Sequence, residues 1–221
     1  MSPVRPVRFE NRADAGRQLA GRVVELRLDS PLVLGLPRGG IPVAAEVASA
    51  LGAPLEAFVA RKVGAPGHKE LGIGAVAEGL DEPVMSDVAA ALRPGTKLLA
   101  ASVDQSLREL RRQATLYRGD RPLPELADRY VVVVDDGLAT GITAEAALIA
   151  LRRRQPRGLV LAVPVCAPDA AARLEPMAQD IVCVQSPTDL FAVGFWYEDF
   201  SPTTDQEVID LLARSRADRQ R

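Results

Sequence analysis

An α/β fold on a mostly parallel sheet is expected, and three observations predict it. Short apolar runs suited to buried strands recur at residues 32–36, 55–60, 130–134, 158–165 and 181–184. Segments with helical apolar spacing lie between most of them. Glycine-rich turns at residues 37–40 and 137–141 lead from a strand directly into a helix. Strand, turn, helix, strand is the order of parallel crossover units. A chain of 221 residues, 48% apolar and 25% charged, suits one packed domain.

The elements follow in order. Asn11 caps a first helix, in which Ala15, Leu19, Val23 and Leu26 recur at helical spacing. Ser30 and Pro31 punctuate the chain, and Leu32, Val33, Leu34 and Leu36 make the first strand. Val43, Val47 and Leu51 stripe the second helix, which Gly52, Ala53 and Pro54 break before a second strand at 55–60. Residues 64–79 hold five glycines and a proline among discontinuous apolar positions, which predicts a mobile loop and then a short strand near 73–77. Residues 87–92 read as a short helix stopped by Pro94 and Gly95. Val103, Leu107, Leu110, Ala114 and Tyr117 mark a longer amphipathic helix, with Arg108, Glu109, Arg111 and Arg112 as its solvated face.

Residues 79–129 offer no convincing central strand and read as a peripheral or inserted element. The core is expected in about 30–78 and 130–185 of a single domain spanning 1–221. In the second core segment a strand at 130–134 precedes a helix marked by Ala144, Ala147, Leu148 and Leu151. A strand at 158–165, a helix at 168–174 and a strand at 181–184 follow. The C-terminal segment, about 186–213, carries Phe191, Phe195, Trp196, Tyr197 and Phe200, then a helix opened by the capping-box pair Thr204 and Glu207. Residues from Arg214 onward read as a frayed polar end.

Composition removes several function classes. With 27 basic and 29 acidic residues the formal charge is −2, which gives no sign of a general nucleic-acid binder. One histidine, His68, and two separated cysteines, Cys166 and Cys183, cannot build a Cys/His metal cluster. Both cysteines lie in apolar runs and read as reduced core thiols. No GxGxxG, GxxxxGK[ST] or GxSxG sequence occurs, so dinucleotide, Walker-type and α/β-hydrolase sites lack support. No early stretch resembles a signal peptide and no run reaches the length of a membrane span, so a cytoplasmic location is the expectation.

The strongest chemical signal is Val131-Val132-Val133-Val134-Asp135-Asp136-Gly137-Leu138-Ala139-Thr140-Gly141-Ile142-Thr143. A buried strand ends at two carboxylates, and a hydroxyl- and glycine-bearing turn opens a helix. Ligands bind at the C-terminal ends of such strands. Free N–H groups at a helix start favour phosphate, and Thr140 and Thr143 add hydroxyl donors. Asp135 and Asp136 are placed to accept hydrogen bonds from sugar hydroxyls. The second signal is Pro37-Arg38-Gly39-Gly40, where two glycines allow close backbone approach and Arg38 offers a planar cation for phosphate oxygens.

The Asp135–Thr143 segment resembles the signature of type I phosphoribosyltransferases. The resemblance implies binding of 5-phosphoribosyl 1-diphosphate, the acids on the ribose hydroxyls and the Ala139–Thr143 turn around the 5-phosphate. The wording Asp-Asp-Gly-Leu-Ala-Thr-Gly is close to the adenine enzymes. Ala139 stands where hypoxanthine-guanine enzymes carry an aspartate, which argues against that subclass. By the same resemblance residues 37–40 form the diphosphate loop, often with a non-proline cis peptide, and Arg61 and Lys62 reach the diphosphate. Residues 64–79 match the flexible catalytic loop, with Lys69 neutralising departing diphosphate and Glu70 positioning a donor. His68 reads as a surface loop residue.

Pro-Arg-Gly-Gly, Arg-Lys-Val-Gly and Trp196-Tyr197-Glu198-Asp199-Phe200 together resemble a poorly characterised bacterial phosphoribosyltransferase-like family. The implied fold is a three-layer α/β domain with a small hood or inserted α+β element. The implied reaction passes the phosphoribosyl group to an unidentified nitrogenous acceptor with loss of diphosphate. The alternative is a regulator of the same fold that senses the sugar diphosphate. Mg²⁺ is implied as cofactor, carried mainly by the diphosphate and without a protein ligand. Further expected partners are the small-molecule acceptor and a second copy of the chain, with no membrane. Trp196 and Asp199 are candidates for acceptor stacking and polar contact; packing of the tail is the other reading of the same residues.

Overall fold

The computed structural model describes residues 8–92 and 95–219, leaving aside the side chains of residues 69, 70, 90, 91 and 96. The chain runs α1 (Arg12–Val24), β1 (Leu32–Gly35), α2 (Gly40–Leu51), β2 (Leu55–Ala57), β3 (Ala60–Ala65), β4 (His68–Ala77), β5 (Val84–Met85), α3 (Asp87–Leu92) and α4 (Thr96–Arg118). It continues with β6 (Tyr130–Val134), α5 (Ile142–Arg152), β7 (Gly158–Val165), α6 (Pro168–Leu174), β8 (Asp180–Gln185) and α7 (Asp205–Asp218).

The main sheet is parallel, in the order β2-β1-β6-β7-β8. Its strands are apolar on both sides because helices cover both faces. Val33, Val132, Val134, Val160 and Ala162 pack towards α1, α2 and α7. Leu32, Leu34, Val131, Val133, Leu161 and Val163 pack towards α5 and α6. The alternation along β6 is the period-2 geometry of a strand dividing one layer from another. The architecture is therefore the three-layer α/β fold that the sequence predicts.

From β1 the chain crosses to one side of the sheet, and from β6 it crosses to the other. The strand order reverses between these two, which pair through Gly35 and Val134. Open α/β sheets bind ligands at such a switch point.

Local signals account for several boundaries. The Asn11 side chain accepts a hydrogen bond from the Asp14 backbone N–H at 3.0 Å and starts α1. Thr204 and Glu207 form the full capping box of α7. That helix runs to Asp218, so the stretch beginning at Arg214 is helical and not frayed as expected. Val208 and Leu212 bury its apolar side. Both thiols are free. Among the described residues no helix is long and apolar enough to cross a membrane.

Two expectations fail in the same region. The second strand does not run through residues 55–60. It stops at Ala57, and the chain leaves the main sheet before Ala60. A buried clasp fixes the break: the Val59 N–H donates to Glu78 Oε1 at 2.6 Å, and Arg118 donates to the Ala57 carbonyl at 2.8 Å. Arg118 also holds both Glu78 oxygens. Nor is the first part of residues 64–79 a loop, although the short strand expected at 73–77 is present within β4. Residues 64–77 belong to the β3–β4 hairpin, the larger part of a separate antiparallel sheet ordered β3-β4-β5. Its register shifts around Gly64, which obscures the apolar alternation in the sequence. The small sheet thus begins at Ala60, inside the span read as core.

Candidate functional site

The pairing of β1 with β6 sets two glycine-bearing turns side by side. Leu36 donates its N–H to the Val134 carbonyl at 2.8 Å, so the chain after β1 stays against the end of β6. The Pro37–Arg38 peptide is cis. Gly40 begins α2 against this junction. A Cβ there would lie 2.7 Å from the Val134 carbonyl oxygen and 2.9 Å from Asp135 Cα, both backbone atoms with little room to move. Gly40→Ala is expected to separate the two turns, and a fall in both thermal stability and phosphate-ligand affinity on calorimetry checks this.

Asp135 and Asp136 sit half-buried at the end of β6. The Asp136 N–H donates to Asp135 Oδ1 at 2.8 Å. Burial pushes the Asp135 carboxyl well above the usual carboxylate range, and the charge of Asp136 adds to the effect. Burial raises Asp136 too, against the pull of Arg12. Arg12, the first residue of α1, donates from Nε to Asp136 Oδ2 at 2.8 Å. Its guanidinium lies 3.9 Å over the Phe200 ring and donates to the Ser201 carbonyl at 2.8 Å. Tyr197 donates its hydroxyl to the Asp136 carbonyl at 2.6 Å. The acid pair is thus held by the N-terminal helix and by the C-terminal tail.

Beyond the acids the chain turns into α5. Leu138 is buried, and its N–H donates to the Val165 carbonyl at 2.8 Å, anchoring the turn to β7. Gly141 has φ +71°, a conformation that favours glycine, and α5 starts there without a side-chain cap. Arg173 of α6 holds the Thr140 carbonyl and Glu145 from outside. An uncapped helix start with threonines beside it is a ready anion site.

A cavity of about 1010 Å³ opens over these turns. Its floor is made by Pro37, Gly39, Asp135, Asp136 and Thr143. One wall is Arg61, Lys62 and the hairpin tip at residues 64–67. Another wall is α4, through Ser102, Gln105, Ser106, Arg108, Glu109 and Arg112. Arg108 and Arg112 are exposed, as expected of a solvated face, and with half-buried Glu109 they also border this cavity. The small sheet packs β3 beside α4, which brings Arg61 to 3.9 Å from Glu109.

A chain of alternating charges crosses the site. Arg38 Nη1 lies 3.8 Å from Asp205 Oδ1, Asp205 Oδ2 2.9 Å from Arg112 Nη2, and Arg112 Nη2 2.8 Å from Glu109 Oε1. Glu109 Oε1 lies 3.9 Å from Arg61 Nη1. Tyr117 donates to Asp205 at 2.6 Å; that bond and Arg112 hold the Asp205 carboxyl below its usual range. The hydrogen bond from Arg112 lowers Glu109 likewise. The centre is tightly paired and both terminal arginines are loosely held. A strongly charged phosphate ligand has two cations to recruit there.

The sequence profile described as the phosphoribosyl transferase domain matches residues 8–199. The chain belongs to that family. This phosphoribosyl transferase domain is 44% identical over 214 residues to "Putative phosphoribosyl transferase Rv0571c" of Mycobacterium tuberculosis strain H37Rv, which covers 95% of this chain and 47% of the relative. The chain spans about half the length of that curated relative and of its counterpart in strain CDC 1551. The crystal structure of TT1426 from Thermus thermophilus matches it with a TM-score of 0.76 at 43% identity, covering 94% of this chain and 98% of that one. The AQ2163 protein from Aquifex aeolicus shares the fold, with a TM-score of 0.51 at 15% identity over 91% of this chain and 84% of that one.

In this phosphoribosyl transferase domain Gly39, Arg61, Lys62, Asp135, Asp136 and Thr143 meet at one cavity, and Gly40, Gly137, Ala139, Thr140 and Ile142 lie in the turns beneath or beside it. The Arg38 side chain is 47% exposed and leans to Asp205. Lys69 and Glu70 follow the hairpin tip; their side chains lie outside the described residues. Trp196 and Asp199 do not line the cavity. The Trp196 carbonyl accepts from the Phe9 N–H at 2.9 Å, and its ring packs on the Phe9–Tyr197 cluster. Asp199 accepts from the Ser201 N–H at 2.9 Å and from its hydroxyl at 2.5 Å. In this structure Trp196 packs with the Phe9–Tyr197 cluster, while Asp199 is exposed and its carboxylate bonds within the tail, to Ser201. Sequence reasoning missed Arg12, Asp205 and the α4 wall. For Arg12 the sequence carries no signal beyond a basic residue after a helix cap.

Proposed function

We propose that this domain binds 5-phosphoribosyl 1-diphosphate and transfers its phosphoribosyl group to a nitrogen acceptor, releasing diphosphate. One observation carries the reading: two anion-suited turns, at residues 37–40 and 135–143, lie side by side with two carboxylates between them on one cavity. Asp135 and Asp136 accept from the ribose 2′- and 3′-hydroxyls. The α5 start, with Thr140 and Thr143, takes the 5-phosphate. The 37–40 turn, Arg38, Arg61 and Lys62 take the diphosphate. The acceptor nitrogen uses its lone pair to bond C1 as the C1–oxygen bond breaks, and the electron pair leaves on diphosphate. The acceptor proton passes to solvent. The protein's contribution is alignment and stabilisation of charge on the leaving group. Lys69 and Glu70, beside the hairpin tip, are assigned to that charge and to donor positioning.

Mg²⁺ belongs to this proposal, and it would neutralise charge on the departing diphosphate. Among the described residues no group of three or more acidic, histidine or cysteine side chains forms a metal cage. A hard cation carried on phosphate and ribose oxygens needs none, and Asp135 and Asp136 supply hard oxygens next to it.

Calorimetric titration of the sugar diphosphate, with Mg²⁺ and with chelator, tests the proposal. Saturable binding is expected, with affinity in the about 1 μM–1 mM range usual for substrates and weaker in chelator. Diphosphate release is then expected with an acceptor. No binding under either condition overturns the reading; binding without release across an acceptor panel assigns sensing instead.

A further inference from the structure

The acceptor's place follows from what the walls are made of. The cavity, about 1010 Å³, sits at the top of the about 300–1,000 Å³ range of small-molecule sites, which leaves room for a second molecule beside the sugar diphosphate. Its lining includes no aromatic side chain among the described residues. Of the tail aromatics, Trp196, Tyr197 and Phe200 pack with Phe9 or hold Arg12, and exposed Phe191 and Phe195 do not line the cavity. A bare flat base stacked on a ring therefore does not match this pocket.

The α4 residues that line the same cavity as the acids fall on one polar stripe, at the spacing of a single helix face. Ser102, Gln105 and Arg108 make no side-chain hydrogen bond or ion pair among the described residues, and Ser106 donates only to the Ser102 carbonyl at 3.0 Å. Further along, Glu109 and Arg112 neutralise each other and Asp205. The uncompensated charge on the stripe is thus the guanidinium of Arg108, with neutral hydrogen-bonding groups one turn before it. Such a set matches a planar anion, since the guanidinium fork pairs both oxygens of a carboxylate.

We propose that α4 forms the acceptor subsite, and that the acceptor is a nitrogen compound carrying its own carboxylate, held by Arg108 with Gln105 and Ser102. The assignment rests on the phosphoribosyl-transfer reading above and names its second substrate. The α4 stripe, not Trp196 and Asp199, then decides which acceptors enter.

The test separates donor from acceptor. Calorimetry first measures the sugar diphosphate with Mg²⁺ on the wild type, on Arg108→Gln and on Arg111→Gln, a neighbouring exposed arginine off the cavity. Orotate, nicotinate, quinolinate and anthranilate are then compared with adenine and hypoxanthine, by binding to the donor complex and by diphosphate release. At least one carboxylated compound is expected to bind and react in preference to both uncharged bases. Arg108→Gln is expected to raise its KM at least tenfold while donor affinity changes less than twofold, and Arg111→Gln to change neither. Donor binding with preference for the uncharged bases, or with no carboxylated compound bound, overturns the subsite. So does an unchanged KM in Arg108→Gln. Absence of donor binding to the wild type instead overturns the transfer reading itself, and the subsite with it.

Discussion

Asp135→Asn is expected to weaken binding of 5-phosphoribosyl 1-diphosphate by about tenfold to a hundredfold and, at the same time, to raise the melting temperature of the ligand-free protein near neutral pH. The loss follows from replacing a charged acceptor of a sugar hydroxyl, a bond worth about 1.5–3 kcal/mol. The gain follows from burial. The native Asp135 carboxyl has its pKa raised, first by desolvation and then by Asp136, whereas in the unfolded chain it titrates near about 3.9. The native state therefore holds its proton more tightly than the unfolded state. Stability falls as pH climbs from about 4 through the raised value, and above that value the full penalty is present. Asparagine cannot ionise and keeps an oxygen for the Asp136 N–H. The stability difference between variant and wild type is expected to open across that window and stay constant above it. Thermal melts from pH 4 to 8 and donor calorimetry measure the two effects. Equal melting temperatures at neutral pH contradict the burial argument, and unchanged affinity removes the ribose assignment.

The largest expected effect on folding is at Arg118. Its side chain is 8% exposed and that of its partner Glu78 13%, so the pair is almost wholly out of water. Arg118→Ala leaves the Glu78 carboxylate buried with the Val59 N–H as its remaining described donor. Removing one partner of such a pair costs about 3–5 kcal/mol. For a domain of this size that is a drop of about 6–20 °C in melting temperature. Arg118→Met with Glu78→Gln removes both charges and keeps an acceptor for Val59, so it should recover a good part of the loss. Urea denaturation of the single and double variants checks both. A loss under about 1 kcal/mol in Arg118→Ala would falsify the idea that this clasp fixes the exit of the chain from the main sheet after β2.

That clasp also shows why parts of the chain were harder to read. Residues 130–143 and 158–174 are legible because their apolar periods and turn residues are local properties of the sequence. The same holds for the Asn11 and Thr204 caps. The end of β2 at Ala57 is not local. It depends on Glu78 and on Arg118, which lie far along the chain and look in sequence like ordinary charges. The β3–β4 hairpin hides behind its glycines, whose reason is pairing geometry at an irregular register. Within the candidate site, the acid pair and both turns stand out in the sequence as local motifs. The α4 face does not, because a helix stripe of Arg, Gln, Ser and Glu has the same composition whether it meets water or a ligand. Arg12 and Asp205 gain their positions through tertiary packing alone.

The adjacency of β1 and β6 has a consequence for how the protein acquires function as it folds. The two turns are distant in the chain and become neighbours only when β6 pairs beside β1. Closing so long a loop is entropically costly and is rewarded only once the strands zip together. A nascent chain that has emerged only as far as α4 carries one turn and no partner for it. Competence for the proposed ligand therefore waits on β6 and belongs to the paired sheet rather than to either turn. The ligand proposed above would add its binding free energy to the paired state alone, and so would stabilise the strand junction that forms its site.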